Sequence, residues 1–151
     1  MDIPSLEEQE RRLVLARFDE GVAVDLGLAL VALARNGKLP IVIDIRTPDR
    51  TLFHAAMPGA TPLNDKWARR KSNAALMWQA SSLLVGTRMA VKGDSLGSNG
   101  FSEADFAVHG GSVPVRVAGV GVVAALTVSG LPSVEDHALV VRVLEELMLT
   151  L

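Results

Sequence analysis

The stretch Val115–Leu147 constrains the fold of this chain more than any other, because apolar strand patterns and an apolar helix stripe follow each other in it. Its first half is apolar and largely β-branched, as strands are. Gly119 and Gly121 predict a tight turn between two strands. Ser133, with Asp136 three residues later, predicts the start of a helix. The stretch therefore predicts a strand pair covered by a long helix.

The rest of the chain shows the same alternation of paired strands and helices. Before the terminal unit, the predicted elements are a helix from Ser5 to about Phe18, a helix over 22–35, strands over 41–45 and 51–56, a helix from Asn64 or Asp65 to about Ser81, and a shorter helix that ends at Gly93. Strands linked as hairpins favour an antiparallel sheet with helices over its faces. The predicted fold class is α+β.

Composition limits the classes of protein that this chain can be. Its 151 residues, without an internal repeat or a long linker, predict one domain over residues 1–151. A net charge of −2 argues against nucleic-acid binding. The absence of cysteine excludes disulfides and thiolate chemistry and suits a cytoplasmic protein. The polar, acidic N-terminal segment does not resemble a signal peptide, and no apolar run approaches the ~20 residues of a membrane span.

Three segments resemble the haem-degrading-domain family, also called GlcG-like or HbpS-like. They are TLFHAAMPGATPLNDKWARRKSN, HGGSVPVRV and VAALTVSGLPSVEDHALVV. Within that family the chain is most similar to the branch known as uncharacterised protein family 0303, from about Leu13 to Leu147. The resemblance implies a profilin-like, three-layer α/β/α sandwich, assembly into homo-oligomers, and haem binding or degradation. The family takes its name from a secreted relative that binds and degrades haem; none of its haem-ligand motifs matches this sequence, so no axial ligand is carried over.

The three histidines are the first candidates for chemistry. His54 lies on the predicted return strand and is a candidate haem ligand or general acid/base, since imidazole titrates near neutral pH. The alternative is a histidine that hydrogen-bonds a neighbour at the end of the sheet. His109 precedes Gly110–Gly111, where a ligand can approach the backbone closely. His137 falls early in the terminal helix, where a surface or capping role is the simpler interpretation. Because the three lie on separate elements without metal-ligand spacing, no metal site is predicted.

The third predicted helix carries the one concentrated basic cluster. Arginine binds carboxylate and phosphate groups through two parallel hydrogen bonds. With Trp67 and Trp78 alongside, this surface matches a ligand that carries carboxylates, haem propionates included. The alternative is that both tryptophans pack into the core while the charges pair with carboxylates or a neighbouring subunit. The basic cluster consists of Lys66, Arg69, Arg70 and Lys71.

The resemblance, together with the clustering of polar and aromatic residues, implies a soluble homo-oligomer with a pocket for a small anionic ligand or haem. We expect the tryptophan–arginine segment to lie beside His54. Catalysis stays open, because no acid–base pair, G-x-S-x-G elbow or dinucleotide fingerprint is present. An enzyme for a small hydroxy- or keto-acid ranks lowest for that reason. The candidate ligand-binding residues are His54, Trp67, Arg69, Arg70 and His109.

The rival interpretation is a non-enzymatic assembly or adaptor protein. In it, the same polar and aromatic residues would form contacts between subunits. The predicted helix over residues 22–34 supports this interpretation, since it is apolar nearly all round. Such a helix requires burial in a core or against a partner.

Overall fold

The computed structural model describes all residues from Met1 to Leu151 and consists of one five-stranded sheet with helices on both faces. Its elements are α1 (Ile3–Arg12), β1 (Val14–Leu15), α2 (Glu20–Gly37), β2 (Val42–Arg46), β3 (Thr51–Ala56), α3 (Pro62–Trp78), α4 (Ser82–Lys92), β4 (Ser112–Val117), β5 (Gly121–Ser129) and α5 (Ser133–Met148). A short 3-10 turn, Gly97–Asn99, lies between α4 and β4. No helix combines the length and the apolar character that crossing a bilayer requires.

The strands lie in the order β1-β4-β5-β2-β3, and every pair except β1–β4 is antiparallel. The two predicted hairpins, β2–β3 and β4–β5, therefore form the sheet by pairing β2 with β5. Helices α2 and α5 cover one face, and α3 covers the other with α1 and α4 beside it. This arrangement confirms the predicted α+β sandwich of three layers.

Strand β1 corrects the expectation of a wholly antiparallel sheet. Its two residues pair in parallel with β4, Val14 opposite Arg116 and Leu15 opposite Val117. The side chains of Leu13 and Leu15 on either side of Val14 are buried. This alternation is that of a strand with one buried face. The first helix was predicted to run to Phe18; that prediction is wrong, since burial of alternate leucines draws the chain into the sheet after Arg12.

The helix ends also differ from the prediction. Asp2 is the N-cap of helix α1, and its Oδ1 accepts a hydrogen bond from the Ser5 backbone N–H at 2.9 Å. The predicted cap, Ser5, therefore lies inside the helix. Helix α3 starts behind Thr61, and the Asn64 side chain accepts from the Thr61 backbone N–H at 2.9 Å. It ends at Trp78 rather than Ser81. Each of these boundaries lies about three residues, nearly one helical turn, before the predicted one.

The main core fills the space between the sheet and the pair α2–α5. Along β2 the side chains of Ile43 and Ile45 point into this layer, as alternate strand residues must. They meet Leu26 and Leu30 of α2, and Leu144 of α5 closes the cluster. All five are at most 2% exposed. The predicted second helix is thus buried on one face only, and the other face carries exposed Val24 and Leu28.

The opposite face of the sheet is polar where α3 lies on it. Ser112, Thr127, Asp44 and His54 stand in one row across four strands. Small residues such as Ala68 on α3 let the helix backbone approach this row. Thr127 donates to the Ser112 hydroxyl oxygen at 2.8 Å, and both residues are fully buried. A polar layer of this kind is stable only because its groups find hydrogen-bond partners.

Candidate functional site

A pocket of about 240 Å³ lies where α3 meets the end of β5 and the start of α5. We call it the Trp67 pocket. Its walls come from α3, from the loop before β4 and from the turn between β5 and α5. The side chains and glycines that matter for its chemistry are Asn64, Trp67, Lys71, His109, Gly110 and Asp136.

A buried ion pair forms the base of this pocket. The Lys71 ammonium donates to the carbonyl oxygens of Gly110 and Val128 at 3.0 and 2.8 Å, and to Asp136 Oδ2 at 3.1 Å. Burial lowers the pKa of Lys71 and raises the pKa of Asp136, since desolvation disfavours both charged forms. With its three N–H groups satisfied, Lys71 holds three separate segments together.

Asp136, the carboxylate of this ion pair, also fixes the start of α5. Its Oδ1 accepts from the Leu131 backbone N–H at 3.0 Å, which fixes the turn between β5 and α5. Ser133 was predicted to cap this helix; instead it is the first helical residue, and its hydroxyl oxygen accepts from the Gly110 backbone N–H at 3.0 Å. Lys71 belongs to the predicted basic cluster, but it is buried, because its three acceptors come from segments far along the chain.

Glycine is required at Gly111, beside the ammonium. Its φ is +136°, and a Cβ there would lie 2.4 Å from both Lys71 Nζ and the Val128 carbonyl oxygen. A side chain would therefore displace the lysine or the strand. The glycine pair after His109 was predicted to allow a close approach to the backbone, and at Gly111 the Lys71 ammonium is such a group.

Three of the predicted ligand-binding residues contact one another beside the Trp67 pocket, and we call this group the stack: Trp67 and His109 line the pocket, and Arg70 lies against Trp67 outside its lining. The rings of Trp67 and His109 meet edge-on, with centroids 5.1 Å apart and an interplanar angle of 84°. The Arg70 guanidinium carbon lies 4.5 Å from the Trp67 ring centroid, as in a cation–π contact. Arg70 also donates to the Phe106 carbonyl oxygen at 3.4 Å. The stack presents an imidazole, an indole and a guanidinium side by side.

His54 lies outside this pocket, in an ionic network between β3 and α3. Its Nδ1 is 2.8 Å from Asp44 Oδ2, and its Nε2 is 2.9 Å from Asp65 Oδ1. Asp44 is buried and accepts two further hydrogen bonds from Arg46, at 2.6 and 2.8 Å. The contact with Asp65 places the tryptophan–arginine helix beside His54, as expected. Both ring nitrogens are engaged, so His54 ties β3 to α3.

Arg69 points away from the Trp67 pocket. It is exposed and lines a small groove of about 70 Å³ with Lys66, Arg70 and Asn73. The groove is connected to the pocket through Arg70, which also stacks on Trp67. The four residues of the predicted basic cluster therefore have different surroundings. Lys66 and Arg69 are exposed, and Arg70 belongs to the stack. Lys71, which forms the ion pair with Asp136, is buried.

The third histidine is buried, against the interpretation of a surface or capping residue. His137 is 1% exposed, and its Nε2 lies 2.7 Å from Gln9 Oε1 of α1. Its Nδ1 has no hydrogen-bond partner. Burial lowers the pKa of His137 to about 4. Nowhere in the chain do three or more histidine, aspartate or glutamate side chains group together so as to hold a metal ion.

The geometry defines a class: a three-layer α+β sandwich with a small polar and aromatic pocket at one end of its sheet. The sequence matches the family described as haem degrading protein HbpS-like over residues 18–145, and the chain belongs to that family.

Relatives with known sequences and structures agree with this assignment. A UPF0303 protein of Streptomyces coelicolor is 51% identical over 144 residues, which cover 95% of this chain and 91% of the relative. This similarity confirms the predicted branch. The crystal structure of the Ybr137w protein has a TM-score of 0.88 at 30% identity and covers 98% of this chain and 88% of its own. A PduOC:haem complex shares the fold alone, with a TM-score of 0.71 at 19% identity, covering 87% of this chain and 94% of its own.

Proposed function

We propose that this protein binds a small carboxylate-bearing ligand at the Trp67 pocket, and that haem is the first such ligand to test. The observation that carries the proposal is the stack of His109, Trp67 and Arg70. His54 is held by two carboxylates and His137 is buried, whereas the His109 ring is exposed beside the pocket. An exposed imidazole next to an aromatic wall and a guanidinium can bind a planar anion.

The residues present fit haem chemically, but the cavity limits how it binds. The His109 imidazole would be an iron ligand of the usual kind, and the Arg70 guanidinium would bind a propionate. The cavity volume of about 240 Å³ is below the ~300–1,000 Å³ of most small-molecule sites. Haem would therefore lie largely outside this cavity. When bound, haem supplies iron chemistry; the chain supplies the imidazole, the indole wall and the cations.

The ion pair beneath the pocket supports a binding role more than a catalytic one. Lys71 has an acceptor for each of its N–H groups, and Asp136 is held by backbone donors. Neither group is free to exchange a proton with a ligand at the observed geometry. Their role in this proposal is to hold the walls of the pocket rigid.

Parallel titrations with haem and with metal-free protoporphyrin IX test the proposal. Haem should shift its Soret band on binding to the wild-type protein. His109→Ala should lose the part of the affinity that depends on iron and keep protoporphyrin binding. Arg70→Met should weaken both ligands about 10–100-fold, the value of a hydrogen bond to a charged group. Arg142→Met, an exposed arginine on α5, is the matched control. Unchanged affinities in both pocket variants would contradict the proposal.

Assembly into a homo-oligomer is the second candidate, and the surface of α2 and β3 favours it. Val24 and Leu28 of α2 are 41% and 56% exposed. Helix α2 packs beside β3, which stands at the edge of the sheet with one side of its backbone unpaired. Exposed apolar side chains beside an open strand edge are features of an interface with another chain.

Light scattering after gel filtration tests assembly through this face. The wild-type protein should elute as an oligomer, and Val24→Glu with Leu28→Glu should lower its mass. Val91→Glu, another exposed apolar residue on a different helix, is the matched control. A monomeric wild-type protein would refute the candidate.

A further inference from the structure

A second and larger cleft lies at the other end of α3. It has a volume of about 450 Å³ and is bounded by α1, β1, the end of α3, α4 and β4. Trp67 and Trp78 are eleven residues apart, which corresponds to roughly 16 Å along a helix. The cleft is therefore separate from the Trp67 pocket. We call it the Arg116 cleft, and its principal residues are Glu10, Arg11, Val14, Trp78, Arg88 and Arg116.

Arg116 brings to this cleft a guanidinium whose hydrogen bonds are only partly satisfied. The buried Glu10 carboxylate already accepts from the Ser81 backbone N–H at 2.8 Å and from the Ser81 hydroxyl at 3.0 Å. Arg116 Nη1 stays 3.6 Å from Glu10 Oε1 and has no hydrogen-bond partner. The other terminal nitrogen donates to the Gln79 carbonyl oxygen. The Arg116 side chain is 26% exposed, and a buried side-chain nitrogen without a hydrogen-bond partner is uncommon in folded proteins.

Two more arginines line the cleft, and their present partners are easily exchanged. Arg88 lies 3.0 Å from Glu7, with both side chains about 40% exposed, at 39% and 44%. Arg11 pairs with Glu8 on the same exposed turn of α1. Solvent-exposed ion pairs contribute little, so a ligand carboxylate can replace them at small cost. Glu7 and Glu10 are the carboxylates in the lining, against three guanidinium groups.

An aromatic wall supplies the second half of a binding site. Trp78 is held by Phe101 and Phe106, whose ring centroids lie 4.8 and 6.0 Å from its own. It lines the cleft together with Val14 of the edge strand, which is 37% exposed. Aromatic rings pair favourably with other rings at such distances. The volume also falls within the ~300–1,000 Å³ of small-molecule sites.

We propose that the Arg116 cleft binds an aromatic carboxylate. The carboxylate meets Arg116 and Arg88, and the aromatic body packs on Trp78 and Val14. This site is independent of the Trp67 pocket in its residues and in its position on α3.

Fluorine NMR of protein labelled with 5-fluorotryptophan tests this site directly, because the chain has two tryptophans, one at each site. Trp67→Phe and Trp78→Phe assign the two signals. Titration with 1-naphthoate should move the Trp78 signal and leave the Trp67 signal in place. Inorganic phosphate at the same concentration should have a much smaller effect, since it lacks an apolar body.

Arginine variants complete the test. Arg88→Met and Arg116→Met should each weaken naphthoate binding about 10–100-fold. Arg142→Met, whose partner is Glu146 on α5, should bind naphthoate as the wild type does. The Arg88 side chain is partly exposed, so its variant remains informative if loss of Arg116 unfolds the protein. A stationary Trp78 signal, wild-type affinity in the Arg88 variant, or equal binding of phosphate would each overturn the proposal.

Discussion

Acid should destabilise this protein through His137. The side chain is 1% exposed in α5, and burial lowers its pKa from 6.5 to about 4. Between these two values the unfolded chain binds a proton that the folded chain rejects. The free energy of unfolding must therefore fall as the pH falls through this window, and His137 has no effect on its pH dependence well above pH 6.5.

The size of the effect follows from the same two pKa values. One pKa unit corresponds to about 1.4 kcal/mol, so His137 should remove about 3 kcal/mol of stability between pH 7 and pH 4. The total stability of a domain is only ~5–15 kcal/mol. His137→Leu removes the titrating group. Between pH 7 and pH 4, the free energy of unfolding of His137→Leu should fall by about 3 kcal/mol less than that of the wild type.

Urea unfolding followed by far-UV circular dichroism, at pH 7, 6, 5 and 4, measures this difference. The comparison of wild type with His137→Leu cancels the carboxylates that titrate in both proteins. Equal losses of stability in the wild type and His137→Leu would refute the account of this residue.

Two further predictions concern the base of the Trp67 pocket. Lys71→Met should destabilise the protein by about 3–5 kcal/mol in urea unfolding, because Asp136 is then left buried without its cation. A loss below about 1 kcal/mol would contradict a structural role for the Lys71–Asp136 ion pair. Gly111→Ala should cost more stability than Gly119→Ala in thermal unfolding. Both glycines have positive φ, but a Cβ at Gly111 meets atoms at 2.4 Å and one at Gly119 meets nothing within 4 Å. Equal melting temperatures would contradict the close approach seen at Gly111.

The parts of the fold that the sequence predicted are those with local signals. Strand β3 has the predicted bounds because alternating residues and a turn define a hairpin within a few positions. The turn at Gly119 and Gly121, and the end of α4 at Gly93, follow from the conformations that glycine allows. The pairing of β1 with β4 could not be predicted this way, since its two residues meet partners about a hundred positions later.

The candidate site was predicted only as far as residue chemistry allows. Periodicity placed Trp67, Arg69, Arg70 and Lys71 on one helix, but it did not show which of them faces solvent. Lys71 is buried because its acceptors come from segments some 39 to 65 positions away. His137 is buried by α1, which no local pattern connects to α5. Contacts between segments distant in sequence therefore determine which polar side chains are buried, and local patterns do not show them.

The fluorescence of Trp67 during haem titration tests the central claim most directly. In Trp78→Phe, Trp67 is the one remaining tryptophan. Bound haem should quench its emission to saturation, in step with the Soret shift, and His109→Ala in the same background should require more haem for the same quenching. Haem binding that leaves Trp67 emission unchanged would place the ligand elsewhere and contradict the Trp67 pocket as its site.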